Sequence, residues 1–410
     1  MASLTTSFSL LFLLLLVDAT IASLPHLDIH VCYTGLCGAS ATPSFRTLHD
    51  ARDHLRSMRS VTPGKWLTLI SVHVLIHTGT YAPLELDSRD SSHVHVTYMS
   101  LPGEVALVSG GVTVPRASFL PVPGKPFLYV ADIRALALTE NFGSLGSGGN
   151  CIQECTNTKM ELYFNTERMV LARYPNLKAN TSQYQFLFAS ASGQGVINYN
   201  PKSDPDAAAH LLSWKDEVNP FILGYMQWDW ADCTRTLNGI KNSSDAIVLL
   251  LSGSDTVEQN ARFVGLNLYT ELDSPNEYYI DELNQLLYLY MASPPATWNM
   301  DPILSVSMVA MNISNIANHS FNGLTIAYAR MLGVSGDNVV NVNIENCVIF
   351  GIGQDGVLLN GFNSGVRNSK IYSTGCAGVS LVSFWPLFST RFTLHSCVRF
   401  LRASQGLKSG

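Results

Sequence analysis

The sequence has little charge and, in particular, no excess of positive charge. Only 14% of its 410 residues are charged, and 25 basic side chains stand against 31 acidic ones, which gives a net charge of −6. Nucleic-acid-binding domains usually present a basic face, so no nucleic-acid partner is expected. The 30 Gly and 18 Pro are dispersed along the chain, which excludes collagen-like and low-complexity classes. With 47% hydrophobic residues, the chain can form a large folded core.

Long hydrophobic runs are also absent. The uninterrupted apolar run from Leu10 to Val17 is far shorter than the roughly 20 residues that span a bilayer, so no membrane span is expected. Small residues follow at 19–23, which is typical of a secretory signal peptide, although no Lys or Arg precedes the run. A short buried strand is the alternative. We expect residues 1–23 to be removed and the mature chain to be secreted.

Export bears on the cysteines and on glycosylation. The eight cysteines are Cys32, Cys37, Cys151, Cys155, Cys233, Cys347, Cys376 and Cys397. An even number in an oxidising compartment favours disulfides, and the first two pairs are close enough in sequence to close small loops. Zinc is the alternative, but paired CxxC motifs are lacking, so no metal or other cofactor is expected. Four sequons predict N-glycosylation, at Asn180, Asn242, Asn312 and Asn318.

A repeat of 22 residues is the most informative pattern. Val72, Val74 and Ile76 alternate as in a strand, and the same alternation returns 22 residues later. This shift places Val72 beside Val94, His73 beside His95, and Leu84 and Leu86 beside Ala106 and Val108. Downstream it maps Asn346, Ile349, Gly353, Gly356 and Val357 onto Asn368, Ile371, Gly375, Gly378 and Val379. Short strands at a constant pitch predict a coiled parallel sheet, with one coil per repeat, Asn ladders between coils and Gly at the corners.

An amphipathic helix is predicted before the first coil. Leu48, Ala51, Leu55 and Met58 fall on one helical face, and Thr47 precedes them as an N-cap that pairs with Asp50. Such a helix would cover the open end of the coiled sheet.

Several motifs resemble secreted right-handed parallel β-helix proteins of the pectate-lyase-like superfamily, with the closest resemblance to fucosidase- and xylanase-type β-helix glycoside hydrolases. They are Pro43–Arg56, Gly79-Thr-Tyr, Leu101-Pro-Gly-Glu, Ser109-Gly-Gly, Ala172-Arg-Tyr-Pro-Asn, Trp228-Asp-Trp-Ala-Asp, Leu272–Asp281 and Gly353-Gln-Asp-Gly-Val. The resemblance covers residues 40–381. It implies an all-β, right-handed parallel β-helix and action on a polysaccharide or another glycan outside the cell. Architecture is implied more strongly than substrate, because this fold carries several activities.

The predicted organisation has five parts. Residues 1–23 form the signal peptide, 24–140 the cap helix and first coils, 141–300 a β-rich insertion, 301–381 further coils, and 382–410 a tail that does not follow the repeat. The insertion contains Trp214, Trp228, Trp230 and Trp298. We interpret these aromatics chiefly as its core, with Trp228 and Trp230 as candidate substrate-binding residues that stack on sugar rings.

Asp355 is the best single candidate for a catalytic residue. Glycoside hydrolysis commonly needs two carboxylates, and Asp355 lies beside a tight corner whose counterpart one repeat later is Ala377. A turn Asp that binds nearby backbone is the alternative. Asp337 and Glu345 are the nearest upstream acids, and no acid follows Gly356, so no catalytic pair is assigned. Capping, turn and ion-pair roles explain the acids of the matched motifs as well as catalysis does; these acids are Asp229, Asp232, Glu277 and Asp281.

Two further hypotheses concern His73 and the tail. If His73 stacks on His95, a weak Zn²⁺ or Cu²⁺ site is conceivable, but an ordinary polar ladder is the preferred interpretation. Residues 382–410 contain bases and no acid and lack the Gly-Val corner that the repeat predicts at 400–401, so we expect a sequence foreign to the fold. A divergent C-terminal cap is the alternative. The function expected is that of a β-helix protein related to polysaccharide-acting glycoside hydrolases, with activity in doubt because later coils are missing. The alternative is a non-catalytic extracellular carbohydrate-binding or matrix protein.

Overall fold

The computed structural model describes residues 26–34, 37, 43–139, 141–145, 157–178, 185–385 and 388–390. The predicted signal peptide, Cys151, Cys155, Asn180, Cys397 and the tail beyond residue 390 lie outside this part of the chain. Strand residues outnumber helical ones, 45% against 13%, so the protein is all-β as predicted. No helix among the described residues is long and apolar enough to cross a membrane.

The helices are few. They are α1 (Leu48–Val61), α2 (Pro63–Thr68) and α3 (Pro205–Ser213), with 3₁₀ turns at Arg116–Ser118, Arg134–Leu136, Trp214–Asp216, Tyr269–Glu271 and Pro295–Thr297. Helix α1 confirms the predicted N-terminal helix. The Thr47 side chain accepts a hydrogen bond from the backbone N–H of Asp50, and Leu48, Ala51 and Leu55 are buried against the first strands.

Two parallel sheets carry the repeats. Their strands are β1 (His26–Val31), β2 (Ser44–Phe45), β3 (Ser71–Ile76), β4 (Gly79–Tyr81), β5 (Leu84–Leu86), β6 (His95–Ser100), β7 (Ala106–Ser109), β26 (Val309–Ser314), β27 (Ala317–Asn322), β28 (Thr325–Ala327), β29 (Leu332–Glu345), β30 (Val348–Ile352), β31 (Val357–Phe362), β32 (Gly365–Arg367), β33 (Lys370–Thr374) and β34 (Val379–Trp385). The larger sheet follows the order β2-β1-β3-β6-β27-β29-β31-β34, and the smaller one follows β33-β30-β28-β7-β4. Alternate side chains point into one core between these sheets, because residues two apart lie on the same face of a strand.

The strands of the middle section form sheets that are almost entirely antiparallel. They are β8 (Gly111–Thr113), β9 (Leu120–Pro121), β10 (Leu128–Asp132), β11 (Leu162–Phe164), β12 (Glu167–Arg168), β13 (Val170–Leu171), β14 (Arg173–Tyr174), β15 (Leu187–Phe188), β16 (Gly193–Gln194), β17 (Val196–Tyr199), β18 (Phe221–Tyr225), β19 (Cys233–Asn242), β20 (Ile247–Leu251), β21 (Thr256–Val257), β22 (Arg262–Leu266), β23 (Glu277–Asp281), β24 (Leu286–Tyr290) and β25 (Ile303–Ser305). This section has apolar cores of its own. In the sequence it lies between β6 and β27, two strands that are direct neighbours in the parallel sheet.

The predicted register is right downstream and wrong upstream. Ile349 pairs with Ile371 and Val357 pairs with Val379, as the 22-residue shift requires. In the first coils Val72 pairs with Val96 rather than Val94, and His73 pairs with Thr97 rather than His95. Gly79–Tyr81, not Leu84–Leu86, pairs with Ala106–Val108, because Leu84–Leu86 lies beside Met311–Ile313 across the inserted section.

Asparagine ladders link successive repeats. Asn341 donates its side-chain N–H to Asn318 Oδ1 at 2.7 Å, Asn338 donates to Asn315 at 2.8 Å, and Asn346 donates to Asn322 at 3.0 Å. Most of these residues have positive φ angles. Asn therefore serves at corners where the sequence suggested Gly, since Asn tolerates the left-handed region better than other residues with a Cβ.

Strand β34 continues past the end of the predicted repeat. Its parallel pairing with β31 extends to Val382, opposite Asn360. The chain then turns into β35 (Phe388–Thr390), which pairs with β34 in an antiparallel arrangement. The parallel pattern thus ends one residue beyond the predicted limit at 381, and the origin of residues 382–410 stays a prediction.

The Cys32–Cys37 disulfide confirms one of the two short loops. Cys233 and Cys376 are also disulfide-bonded, whereas Cys347 is a buried thiol. Burial raises the pKa of Cys347 to about 11, so it remains protonated at neutral pH.

Candidate functional site

Asp355 lies in the turn between β30 and β31, and both of its carboxylate oxygens are engaged. Oδ1 accepts the backbone N–H of Ala377 at 2.9 Å, and Oδ2 accepts the Ser380 hydroxyl at 2.9 Å. Ala377 is the counterpart of Asp355 one repeat later, so the carboxylate ties two repeats together. This geometry matches the alternative interpretation of Asp355 as a turn residue that binds backbone.

A hydrogen-bonded chain links the Asp355 turn to the antiparallel section. The buried Gln354 donates its side-chain N–H to the Asn157 carbonyl at 2.7 Å, and Asn157 lies 3.4 Å from Glu161 Oε1. Glu161 is itself buried and lies at the start of β11. Sequence reasoning missed this carboxylate, which hydrogen bonds connect to Gln354, the residue before Asp355.

Glu161 is saturated with donors. The Tyr163 hydroxyl donates to Oε2 at 2.7 Å, and Arg168 Nη1 lies 3.2 Å from Oε1. Burial alone would lower the pKa of Arg168, but Glu161 and Tyr163 outweigh this effect and raise the pKa. Arg168 also donates to the carbonyls of Ile352 and Ser373, so it holds two repeats against the antiparallel section. These contacts give Glu161 a structural role between the repeats and the antiparallel section.

Two other acids have raised pKa values, but they are buried. Burial raises the pKa of Glu277 to about 8, although the backbone N–H groups of Ser274 and Asp273 oppose the shift. Burial also raises the pKa of Glu271, which accepts hydrogen bonds from Trp214 Nε1 at 2.7 Å and His210 Nδ1 at 2.8 Å. The hydrogen bonds from the backbone N–H groups of Asp273 and Ser274 make Glu277 a cap of the turn that precedes it.

Four other acids that the sequence analysis considered also have structural roles. Asp281 accepts from the backbone and the side chain of Asn284, and Asp229 forms an ion pair with Arg262 at 2.7 Å. Asp337 accepts from Asn360, and Glu345 lies 3.9 Å from Arg367. Capping, turn and ion-pair contacts account for each of them.

Trp228 and Trp230 form an aromatic surface beside β18 and β22. Their rings stack with centroids 5.7 Å apart and an interplanar angle of 23°, and Trp230 is 67% exposed. Trp214 and Trp298, by contrast, are buried, as the core interpretation predicted. The four tryptophans of the middle section thus divide into two core residues and two surface residues.

Arg262 extends this surface. Its guanidinium lies 3.7 Å from the Tyr225 ring centroid and 5.1 Å from that of Phe186, and it pairs with Asp229 between the two tryptophans. Exposed aromatic faces beside a carboxylate and a guanidinium suit sugar rings, which offer apolar C–H faces together with hydroxyl groups.

A cavity of about 490 Å³ lies elsewhere in the antiparallel section. Phe119, Phe127 and Tyr129 contribute aromatic walls, and Arg116 and Lys125 contribute positive charge. None of the described residues that line this cavity is a carboxylate, and its aromatic and basic lining suits binding.

The predicted stacking of His73 directly on His95 is wrong, because His73 pairs with Thr97. His73 Nδ1 lies 3.1 Å from Asp28, whereas His95 Nε2 lies 2.9 Å from the Ser320 hydroxyl. The actual register displaces the two rings by one position along the outer face of the sheet.

The described sequons differ in accessibility. Asn242 and Asn312 are exposed, but Asn318 donates its side-chain N–H to the Ser92 carbonyl at 2.7 Å. Glycosylation of Asn318 would break this hydrogen bond, so the structure favours the first two as acceptors.

Comparison with known proteins identifies a fold and no family. No protein-family model and no curated protein matches the sequence. A solved structure described as a glycoside hydrolase superposes with a TM-score of 0.63 over 89% of this chain and 69% of that chain, at 13% identity. A solved complex of XylC with xylose reaches a TM-score of 0.38 over 87% of this chain and 56% of that chain, at 9% identity, which is too low to indicate a shared fold. The protein is thus similar in fold to a glycoside hydrolase with largely parallel β structure.

Proposed function

We propose that this protein is a secreted right-handed parallel β-helix protein that binds polysaccharide through the surface formed by Trp228 and Trp230. The observation that carries the proposal is the stacking of the exposed Trp230 ring on the half-buried Trp228 ring. The parallel pairing of successive repeats and the fold similarity to a glycoside hydrolase support the β-helix architecture and a glycan ligand. The hydrophobic run at residues 10–17 supports export.

The state of the carboxylates favours binding over hydrolysis. A hydrolase needs a protonated acid and a second carboxylate on opposite sides of the glycosidic bond. Glu271 and Glu277 have raised pKa values, but both are buried. Asp355 has both oxygens engaged by neighbouring donors.

Binding is tested with a glycan array and titration calorimetry on xylan and fucosylated oligosaccharides. Trp230→Ala should weaken binding by about tenfold or more, equivalent to about 1.4 kcal/mol, because an exposed aromatic platform concentrates binding energy. Phe362→Ala is the matched control, since Phe362 is also exposed (56%) but lies on β31 of the parallel sheet. Equal affinities for the two variants would contradict the proposal.

Hydrolysis is the second candidate, favoured by the fold similarity to a glycoside hydrolase. On the same glycans, Asp355→Asn should abolish turnover if Asp355 is catalytic. Ser380→Ala is the control, because it removes one hydrogen bond to Asp355 and keeps the carboxylate. Binding without turnover by the unmodified protein would reject this candidate.

Export is tested by expressing the full chain in a secretory host. The protein should be recovered from the medium with an N-terminus near residue 24. Retention of the unprocessed chain inside the cells would contradict the proposed localisation.

A further inference from the structure

A cluster of cysteine and histidine side chains lies where β1 ends, far from the aromatic surface in sequence. Cys32 and Cys37 form a disulfide, and a ring nitrogen of His77 lies within 4.8 Å of both sulfur atoms. His77 is fixed in place by main-chain contacts, since its backbone N–H donates to the Val31 carbonyl at 2.9 Å.

The ring of His77 is oriented from both sides. Glu104 Oε1 lies 3.1 Å from Nδ1, and His30 Nδ1 lies 3.0 Å from Nε2. A carboxylate at one nitrogen of an imidazole fixes the tautomer and leaves the other nitrogen as a lone-pair donor, which is the usual arrangement around histidine ligands of zinc. Glu104 therefore selects Nε2 as the ligating atom.

The distance between the histidine nitrogens suits two ligands of one tetrahedral ion. With Zn–N bonds of about 2.0 to 2.1 Å, two histidine nitrogens on a tetrahedral Zn²⁺ are about 3.3 Å apart. The nitrogens of His30 and His77 are now 3.0 Å apart, so a small separation of the rings brings them to this spacing. The four residues between Cys32 and Cys37 also match the spacing found in zinc sites with two cysteine ligands.

We propose that Cys32, Cys37 and His77 bind Zn²⁺ when the Cys32–Cys37 disulfide is reduced, and that His30, in contact with His77, becomes the fourth ligand once its ring moves toward the sulfur atoms. A phosphine reductant supplies two electrons and becomes the phosphine oxide, water supplies its oxygen and two protons, the S–S bond breaks, and two thiols form. Zn²⁺ then binds both sulfur atoms as thiolates and releases the two protons to solvent. Disulfide and metal exclude each other. The disulfide joins Cys37 to Cys32 just after β1, whereas the metal would join both cysteines to His77 just after β3.

Co²⁺ is the probe, because tetrahedral thiolate sites give it visible absorption and a near-ultraviolet charge-transfer band. The full-length chain reduced with a phosphine should bind one Co²⁺ with this spectrum, and Zn²⁺ should displace it. The oxidised chain should not show the spectrum. Glu104→Gln should weaken binding roughly 10- to 100-fold, as expected for the loss of a group that orients a ligand.

Variants separate this site from the other cysteines of the reduced chain. The double variant Cys32→Ser/Cys37→Ser and the variant His77→Ala should lose the tetrahedral spectrum. His73→Ala should retain it, because His73 lies on the same strand but pairs with Asp28. Circular dichroism of each variant checks that the fold is intact. Tetrahedral Co²⁺ in the reduced double variant, or equal affinities of His77→Ala and His73→Ala, would overturn the proposal. Equal affinities of His30→Ala and His73→Ala would overturn the four-ligand assignment.

Discussion

Buried His319 should make the stability of the protein fall in mild acid. Its ring lies inside the parallel core, is 1% exposed, and sits beside the rings of Tyr98 and Phe321. Nδ1 donates to the Ala317 carbonyl at 2.9 Å, and Nε2 has no hydrogen-bond partner among the described residues. A proton on Nε2 would therefore be a buried charge without an acceptor, which is costly.

The size of the effect follows from the pKa of His319. Burial lowers the pKa of His319 from 6.5 to about 4, and the hydrogen bond to the Ala317 carbonyl opposes this shift. Among the nearby charges, Arg59 and His95 lower the pKa and Asp90 raises it. The unfolded chain takes up the proton near pH 6.5 and folded His319 only near pH 4, so the free energy of unfolding decreases as pH falls between these values. At about 1.4 kcal/mol per pKa unit, the loss is about 3 kcal/mol.

The assay is urea denaturation between pH 7 and pH 4, followed by tryptophan fluorescence. His319→Leu removes the titrating group, so its free energy of unfolding should fall by about 3 kcal/mol less than that of the wild type over this range. His26→Leu is the control on the exposed end of β1 and should follow the wild-type curve. Parallel curves for wild type and His319→Leu would refute the reasoning, because every other titrating group is common to both proteins.

Three other predictions concern a buried acid, a helix cap and a ladder. Burial raises the pKa of folded Glu277 to about 8, so its stabilising contribution is complete below pH 4.5 and is lost as pH rises toward 8. Glu277→Gln should therefore make the urea midpoint depend less on pH over that range. An unchanged profile would contradict the prediction. Thr47→Ala removes the cap of α1 and should cost about 1 kcal/mol by urea denaturation, whereas Thr47→Ser should cost much less. Asn341 has φ +55°, so Asn341→Ala should be less stable than Asn341→Gly by about 1 kcal/mol in the same measurement, and equal stabilities would exclude strain at this corner.

The sequence predicted which face of each strand is buried better than it predicted register. Val72 and Val74 point inward as expected, yet they pair with Val96 and Tyr98, two positions beyond those that a 22-residue shift selects. A shift of two residues keeps every side chain on its face, so the alternation of hydrophobic residues cannot distinguish the two registers. Downstream, turns of constant length fix the register, and Ile349 pairs with Ile371 as predicted.

The surroundings of the candidate residues were beyond sequence reasoning for a different reason. Gln354, the residue before Asp355, binds Asn157, and these two residues are 197 positions apart, so no local pattern relates them. The division of the tryptophans had no sequence signal either. Trp228 and Trp298 are the same residue type in the same section, and only the packing of the antiparallel sheets decides which ring is covered.

The position of the antiparallel section explains how one chain can carry both a repeat and a separate binding surface. His95 on β6 contacts Ser320 on β27 although 225 residues separate them, so the section enters and leaves between two neighbouring parallel strands. Trp214 and Phe263 belong to the section's own core, distinct from the core of the repeats. Stability in repeat architectures is approximately a sum of local contributions. A destabilising substitution such as Trp214→Ala should therefore weaken glycan binding at Trp230 and leave the parallel core intact. Hydrogen exchange should then show loss of protection only in the antiparallel strands.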